Sequence, residues 1–236
     1  MADIKELYSS LFDSTCQTLV NTVNCVGVMG RGLALEFKRR FPDMYSFYRS
    51  QCERRLLRPG KLLLYKESTP WILNFPTKDH WKYPSKILYI ESGLSEFANT
   101  YYKIGITSIA FPELGTSSGK LGWNEVRRIM YKYLEPLKNL QIEIYHFNQY
   151  TKDTFEDKLY QKIHRFEIDD YIREIGLKRR EAKLIYEAFT SGSISKLRDL
   201  QSIKGVGEKT IKAIYNYMHK PVERIITLSE RQPTLF

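Results

Sequence analysis

Residues 19–42 read LVNTVNCVGVMGRGLALEFKRRFP. An apolar run closes on Val-Asn, passes Gly27, Gly30 and Gly32, and ends in a helical pattern over 33–41. That is a strand, a tight loop and a helix. Glycines let backbone N–H groups approach a ligand, and a helix start adds partial positive charge. Asn21 and Asn24 stand ready to hydrogen-bond a sugar or an amide. The pattern points to an anionic, nucleotide-like ligand, and equally fits an ordinary strand–helix turn. Its spacing is neither GxGxxG nor GxxxxGK[ST], so neither common nucleotide fingerprint applies.

Outward from this stretch, the chain alternates. Residues 3–8 and 18–23 read as strands, 43–57 as a helix, and KLLLY (61–65) and WILNF (71–75) as paired strands. PTKDHW (76–81) is a polar loop directly after a strand end. Residues 85–103 form a long amphipathic helix, 107–111 a buried strand, and PELGTSSGKLGW (112–123) a second glycine-rich loop. A helix over 124–137 and a strand over 141–147 complete the series. Such alternation predicts an α/β domain, residues 1–150, with a mixed, largely parallel sheet covered on both faces. Ligands of such sheets lie beyond the carboxyl ends of the strands. Loops 24–32, 76–81 and 112–122 all follow strands, so they are expected to line one cleft.

Composition bounds the partners. Of 236 residues, 37 are Lys or Arg and 27 are Asp or Glu, a net charge of +10. Residues 1–150 hold 20 basic against 14 acidic side chains and 151–236 hold 17 against 13, so the excess is spread over the chain. A diffuse basic surface suits phosphate-rich partners, and also fits a surface that merely stays solvated. Cys16, Cys25 and Cys52 lack CxxC spacing and nearby histidines in ligand register, which predicts reduced thiols in a cytoplasmic protein without a metal site. No 18-residue apolar run or signal-peptide core is present, so no membrane is expected.

NTVNCVGVMGRGLALEFKRRFP, NFPTKDHW and PELGTSSGKLGW, in this order, resemble a macrodomain. The resemblance covers about residues 4–147 and is closest to the DarG-type antitoxin subgroup, which opposes DNA ADP-ribosyltransferase toxins, and to the related terminal ADP-ribose glycohydrolases. It implies a three-layer α/β/α fold, an ADP-ribose cleft and no cofactor. It would place Asn24, Gly30 and Gly32 at the distal ribose and diphosphate. Thr77 would stand beside them, and Gly115, Thr116, Ser117, Ser118 and Gly119 would cradle the diphosphate through their amides. Tyr145 and Phe147 would lie near the adenine, though both equally suit a strand core.

The same resemblance makes Lys78 catalytic. Cleaving an N-glycosidic bond needs a base or nucleophile beside the distal ribose. A lysine desolvated at a cleft wall is partly neutral near pH 7, and either deprotonates a ribose hydroxyl or attacks the anomeric carbon. His80 would shuttle the proton or contact a phosphate, unless it is simply a hydrogen-bonded surface histidine. Two positions depart from the family pattern. Ser9-Ser10 replaces a glycine followed by Asp or Asn that meets the adenine, and Gly122 replaces the aspartate of Leu-Asp-Trp. Gly119 also stands near the position of an acidic partner.

Residues 151–236 read as a separate helical region. Gly176, Lys183, Ile185 and Tyr186 repeat as Gly205, Lys212, Ile214 and Tyr215. Gly205-Val206-Gly207 between apolar helices resembles a helix–hairpin–helix. The resemblance implies nucleic-acid phosphate binding by Gly205, Gly207, Lys204, Lys209 and Lys212, with a protein-contact module as the alternative. The joint expectation is a hydrolase that removes ADP-ribose from an ADP-ribosylated DNA base, reversing a toxin partner. The alternatives are a non-catalytic ADP-ribose reader and a glycohydrolase acting on modified protein.

Overall fold

The structure is a computed structural model that describes residues 1–146, 153–194 and 196–219. The chain divides into two compact units, Met1–Gln161 and the part from Lys162 onward.

The first unit is built on a six-stranded sheet. β1 (Asp3–Leu7), β2 (Thr18–Val23), β3 (Leu63–Tyr65), β4 (Trp71–Pro76), β5 (Ser108–Pro112) and β6 (Gln141–Tyr145) lie in the order β1-β6-β5-β2-β4-β3. Every pairing is parallel except β3 with β4. The mixed sheet expected from the alternation is present. β2 is central and buried almost throughout, polar Thr18 and Asn21 included, so its burial does not alternate. Edge strand β1 alternates exposed and half-buried residues.

Both faces of the sheet are covered. α1 (Gly32–Arg40) and α2 (Pro42–Glu53) pack Phe37, Met44 and Tyr48 with Leu19, Val23 and Ile72. α3 (Ile87–Ile104) and α4 (Trp123–Leu134) pack Leu94, Phe97, Val126 and Met130 with Val20, Leu73, Ile109 and Phe111. Successive β2 and β4 side chains thus feed opposite layers, as the strand period requires.

Pro42 opens α2 at its first turn, where its missing N–H costs nothing. α2 stops at Glu53, short of the expected 57. Arg55 takes a left-handed φ of 55° and Leu56 N–H returns to the Gln51 carbonyl at 3.0 Å, a closed helix end built without glycine. Leu57 then turns into the core. β6 ends at Tyr145, two residues before the expected limit, and Phe147 lies outside the described residues.

α5 (Thr154–Ile163) begins inside the first unit, so that unit extends beyond the expected boundary at 150. The reason is a buried ion cluster. Asp153 accepts from Arg40 at 3.0 Å and from the Ser10 hydroxyl at 2.7 Å, while Glu156 stands 3.7 Å from Arg40. Phe12 and Phe155 flank the guanidinium at 4.0 and 4.9 Å. The composition of 148–166 reads as a polar linker because it hides this packing.

The second unit is helical. A turn of helix, α6 (Ile168–Asp170), continues as a π-helical turn over Tyr171–Ile175 and exits through Gly176 at φ 83°. α7 (Arg179–Thr190) follows. A 3-10 segment, Leu197–Ser202, turns at Gly205 (φ 98°) into α8 (Glu208–His219). The two repeat glycines thus share a left-handed backbone. Thr210 donates to Glu181 at 3.0 Å, tying the two copies together. No described helix is long and apolar enough to cross a membrane.

Candidate active site

Five parallel strands place their carboxyl ends at one rim of the sheet, and the three loops meet there. Thr77 N–H donates to the Val23 carbonyl at 3.0 Å and Cys25 N–H to the Asp79 carbonyl at 2.9 Å, so β2 and β4 stay laced as they become loops. Ser85 N–H donates to the Gly119 carbonyl at 3.0 Å, joining the second loop to the third.

Loop 24–32 is shaped by Asn24. Its Oδ1 accepts from the amides of Val26 and Val28 at 3.0 and 3.3 Å, and its Nδ2 donates to the Val28 carbonyl at 2.6 Å. Tyr48 adds hydrogen bonds to the Asn24 carbonyl and Oδ1. The Asn24 amide is therefore spent on the loop, and the residue is buried. Asn21 is likewise interior, paired with Asn74 at 2.9 Å. Gly27 and Gly32 adopt positive φ, and Gly30 lies exposed on the loop surface. No side chain caps the start of α1, so its first amides are open to a ligand.

Loop 113–122 is a compact turn. Lys120 N–H returns to the Thr116 carbonyl at 3.0 Å and Leu121 N–H to the Gly115 carbonyl at 3.1 Å. The amides of Thr116, Ser117, Ser118 and Gly119 donate to no other described protein group. Four successive N–H groups without a described acceptor suit an anion, and the turn is called the cradle below. At Gly119 a Cβ would collide with the Gly115 carbonyl oxygen and the Ser85 hydroxyl, so a carboxylate side chain has no room there.

Lys78 spans two of the loops. Its Nζ donates to the Ser118 carbonyl at 2.6 Å, which sets the amine beside the cradle. Burial first, then the charges of Arg31 and Lys120, hold its pKa below the ordinary lysine range. All three effects favour the neutral amine. The neighbouring Thr77 is buried. His80 is engaged within its own loop: its Nδ1 accepts the Lys82 N–H at 3.2 Å, and its ring stacks on Trp81.

A second polar group went unread in the sequence. His146, just past β6, sits between Glu113 and Glu6, with ring nitrogens 2.8 Å from each carboxylate. Tyr8 stacks on its ring at 4.5 Å, and Trp123 meets it edge-on at 5.2 Å. Burial pushes the Glu6 carboxyl up, but hydrogen bonds from Arg127, Tyr131 and His146 outweigh it and bring the pKa down to about 2. Glu113 also accepts from the Thr116 hydroxyl at 3.1 Å, so this chain of contacts anchors the cradle to β1 and α4. Its members are scattered along the sequence, and only the fold collects them. Tyr145 belongs to the core, its hydroxyl bonded to Glu143 at 2.8 Å.

In the second unit, Lys204, Gly205, Gly207, Lys209 and Lys212 are all exposed around the start of α8. Val206 is buried between the two glycines and fixes the turn.

Comparison with known proteins agrees with this architecture. The Macro domain family model matches residues 20–130. A DNA ADP-ribosyl glycohydrolase of Thermus aquaticus is 41% identical over 140 residues, covering 58% of this chain and 39% of that protein. The chain thus spans about two fifths of the length of such curated relatives. The macrodomain of Thermus aquaticus DarG superposes with a TM-score of 0.59 at 38% identity, covering 61% of this chain and 99% of that one. Thermosipho africanus DarTG, solved in complex with ADP-ribose, gives 0.60 at 37% identity over 65% of this chain and 44% of its own. Fold and relatives coincide, and through its N-terminal unit the chain belongs to the macrodomain family.

Proposed function

We propose that the protein is an ADP-ribosyl glycohydrolase that releases ADP-ribose from an ADP-ribosylated DNA base. The observation that carries this reading is Lys78: a partly buried amine, held at neutral-favouring potential, 2.6 Å from the edge of a cradle of free amides. With the diphosphate on the cradle and on the start of α1, the distal ribose extends toward this amine. Lys78 then either takes the proton of a ribose hydroxyl or attacks the anomeric carbon. In the second route the base leaves with its bonding pair, is protonated, and water later frees the amine. Borohydride trapping separates the two, since only the covalent route leaves an adduct on Lys78.

The relatives support a nucleic-acid substrate, being named for DNA ADP-ribosyl glycohydrolysis. One is a fusion with a DNA ADP-ribosyl transferase, which supports a transferase toxin as partner. Exposed Lys204, Lys209 and Lys212 around the start of α8, with Glu208 among them, fit a helix–hairpin–helix contact to nucleic-acid phosphates. Among the described residues the charges acting on Lys78 are the cations Arg31 and Lys120, and the lack of a carboxylate beside them favours a second reading, an ADP-ribose reader.

The deciding experiment incubates wild type and Lys78→Ala with an ADP-ribosylated DNA oligonucleotide and with ADP-ribosylated protein. The expected result is release from the oligonucleotide, falling about 10²–10⁴-fold in the variant while ADP-ribose binding persists. Binding without release from either substrate establishes the reader instead. Release from protein alone makes the enzyme a protein glycohydrolase.

A further inference from the structure

Just beyond Lys78, the second loop displays a set of side chains that the cleft does not use. Trp81 is 46% exposed and Tyr83 65% exposed. The His80 ring stacks on Trp81 with centroids 5.5 Å apart and lies 5.7 Å from Tyr83, so the three rings form one step. Lys82 places its ammonium 5.3 Å over Trp81, and Lys86 stands exposed at the start of α3, 5.5 Å from the Tyr89 ring. The step is held rigidly: Tyr83 N–H donates to the His80 carbonyl at 3.2 Å, and Ser85 is tied to Gly119.

Exposed rings interleaved with lysines suit one class of ligand well. Unpaired bases offer flat faces to the rings, and their phosphates meet the ammonium groups. A duplex hides those faces, and an acidic peptide leaves the rings unused. Within 78–89 the charges are Lys78, Lys82, Lys86 and Asp79, with Arg31 and Lys120 acting on the same amine. Trp81 follows Lys78 by three residues, so its Cα lies no more than about 11 Å from that of Lys78.

We infer that the Trp81–Tyr83 step with Lys82 and Lys86 holds the single-stranded nucleotides flanking the modified base. This rests on the glycohydrolase reading for its catalytic readout, but the binding itself stands apart from catalysis. Stacking on the two rings contributes about tenfold or more to the affinity of a flanked substrate.

The test uses the full chain. W81A/Y83A is compared with wild type on an ADP-ribosylated single-stranded oligonucleotide and on the same modified nucleoside without flanking nucleotides. The step predicts a loss of about tenfold or more in kcat/KM for the oligonucleotide, and little change for the nucleoside or for ADP-ribose affinity. Equal losses on both substrates, or no loss on either, overturn it. If wild type releases no ADP-ribose, binding of an unmodified single strand decides. The variant is expected to weaken it about tenfold or more while duplex binding is unchanged, and Trp81 emission is expected to be quenched in wild type but the quench lost in W81F. Unchanged single-strand affinity, or no quench difference, refutes the step independently of the enzymatic reading.

Discussion

At the scale of single residues, Lys78 is governed by what surrounds it. Burial and two neighbouring cations lower its pKa, so the neutral amine appears at lower pH than on a free lysine. If that amine is the base, activity rises with pH through the Lys78 pKa and levels above it. Lys120→Gln removes one cation, so the pKa moves up and the rising limb shifts to higher pH. A pH–rate profile of the two proteins reads this directly, and coincident limbs argue against the amine as the titrating group. The motif that carries Lys78 was legible in the sequence, but its setting was not. The Ser118 carbonyl and the Lys120 charge come from another loop. Asn24 illustrates the converse. Its place before the glycines suggests a ligand contact, yet the fold spends its amide on closing the loop.

At the scale of elements, strands and most helices were readable because apolar periodicity follows from which face is buried. Their ends were less so. α2 closes through a left-handed arginine that no glycine announces. The start of α5 packs by a polar cluster, which leaves no apolar signature. Arg40 and Asp153 are each only 5% exposed, and Glu36 and Glu156 share the same guanidinium. Asp153→Ala leaves a buried cation short of a partner and is expected to cost about 3 kcal/mol, or roughly 5–10 °C in Tm. Burial raises the Asp153 pKa, but Arg40 and hydrogen bonds from Glu156 N–H and Ser10 hold it below the usual carboxylate range. A depressed carboxylate stabilises above its unfolded pKa and loses that contribution as pH falls through the folded value. Melting curves of the variant and wild type are therefore expected to converge in acid. A constant difference down to pH 2 contradicts the ion cluster as the cause.

At the scale of the whole molecule, the chain divides into two units. The first carries the three loops and the second exposes Lys204, Lys209 and Lys212 around the start of α8, beside Glu208, with charge excess in both parts of the sequence. If α8 meets phosphates, nucleic-acid affinity falls steeply with salt, each phosphate contact adding about 0.9 to the slope. Lys209→Gln with Lys212→Gln is expected to reduce that slope by roughly 2 on a duplex of any sequence, measured by titration over a salt series. An unchanged slope assigns the second unit to protein contacts instead. The internal repeat was visible in sequence because its glycines serve the same left-handed turn in both copies.

The claim beneath all of this is spatial: three loops enclose one dinucleotide, with the Lys78 amine at its far sugar. A crystal of the full chain soaked with ADP-ribose measures it most directly. The account predicts the diphosphate on the amides of residues 116–119 and the Lys78 Nζ within about 3–3.5 Å of the anomeric carbon or a hydroxyl of the distal ribose. A distal ribose bound elsewhere, with Lys78 still on the Ser118 carbonyl, would contradict it.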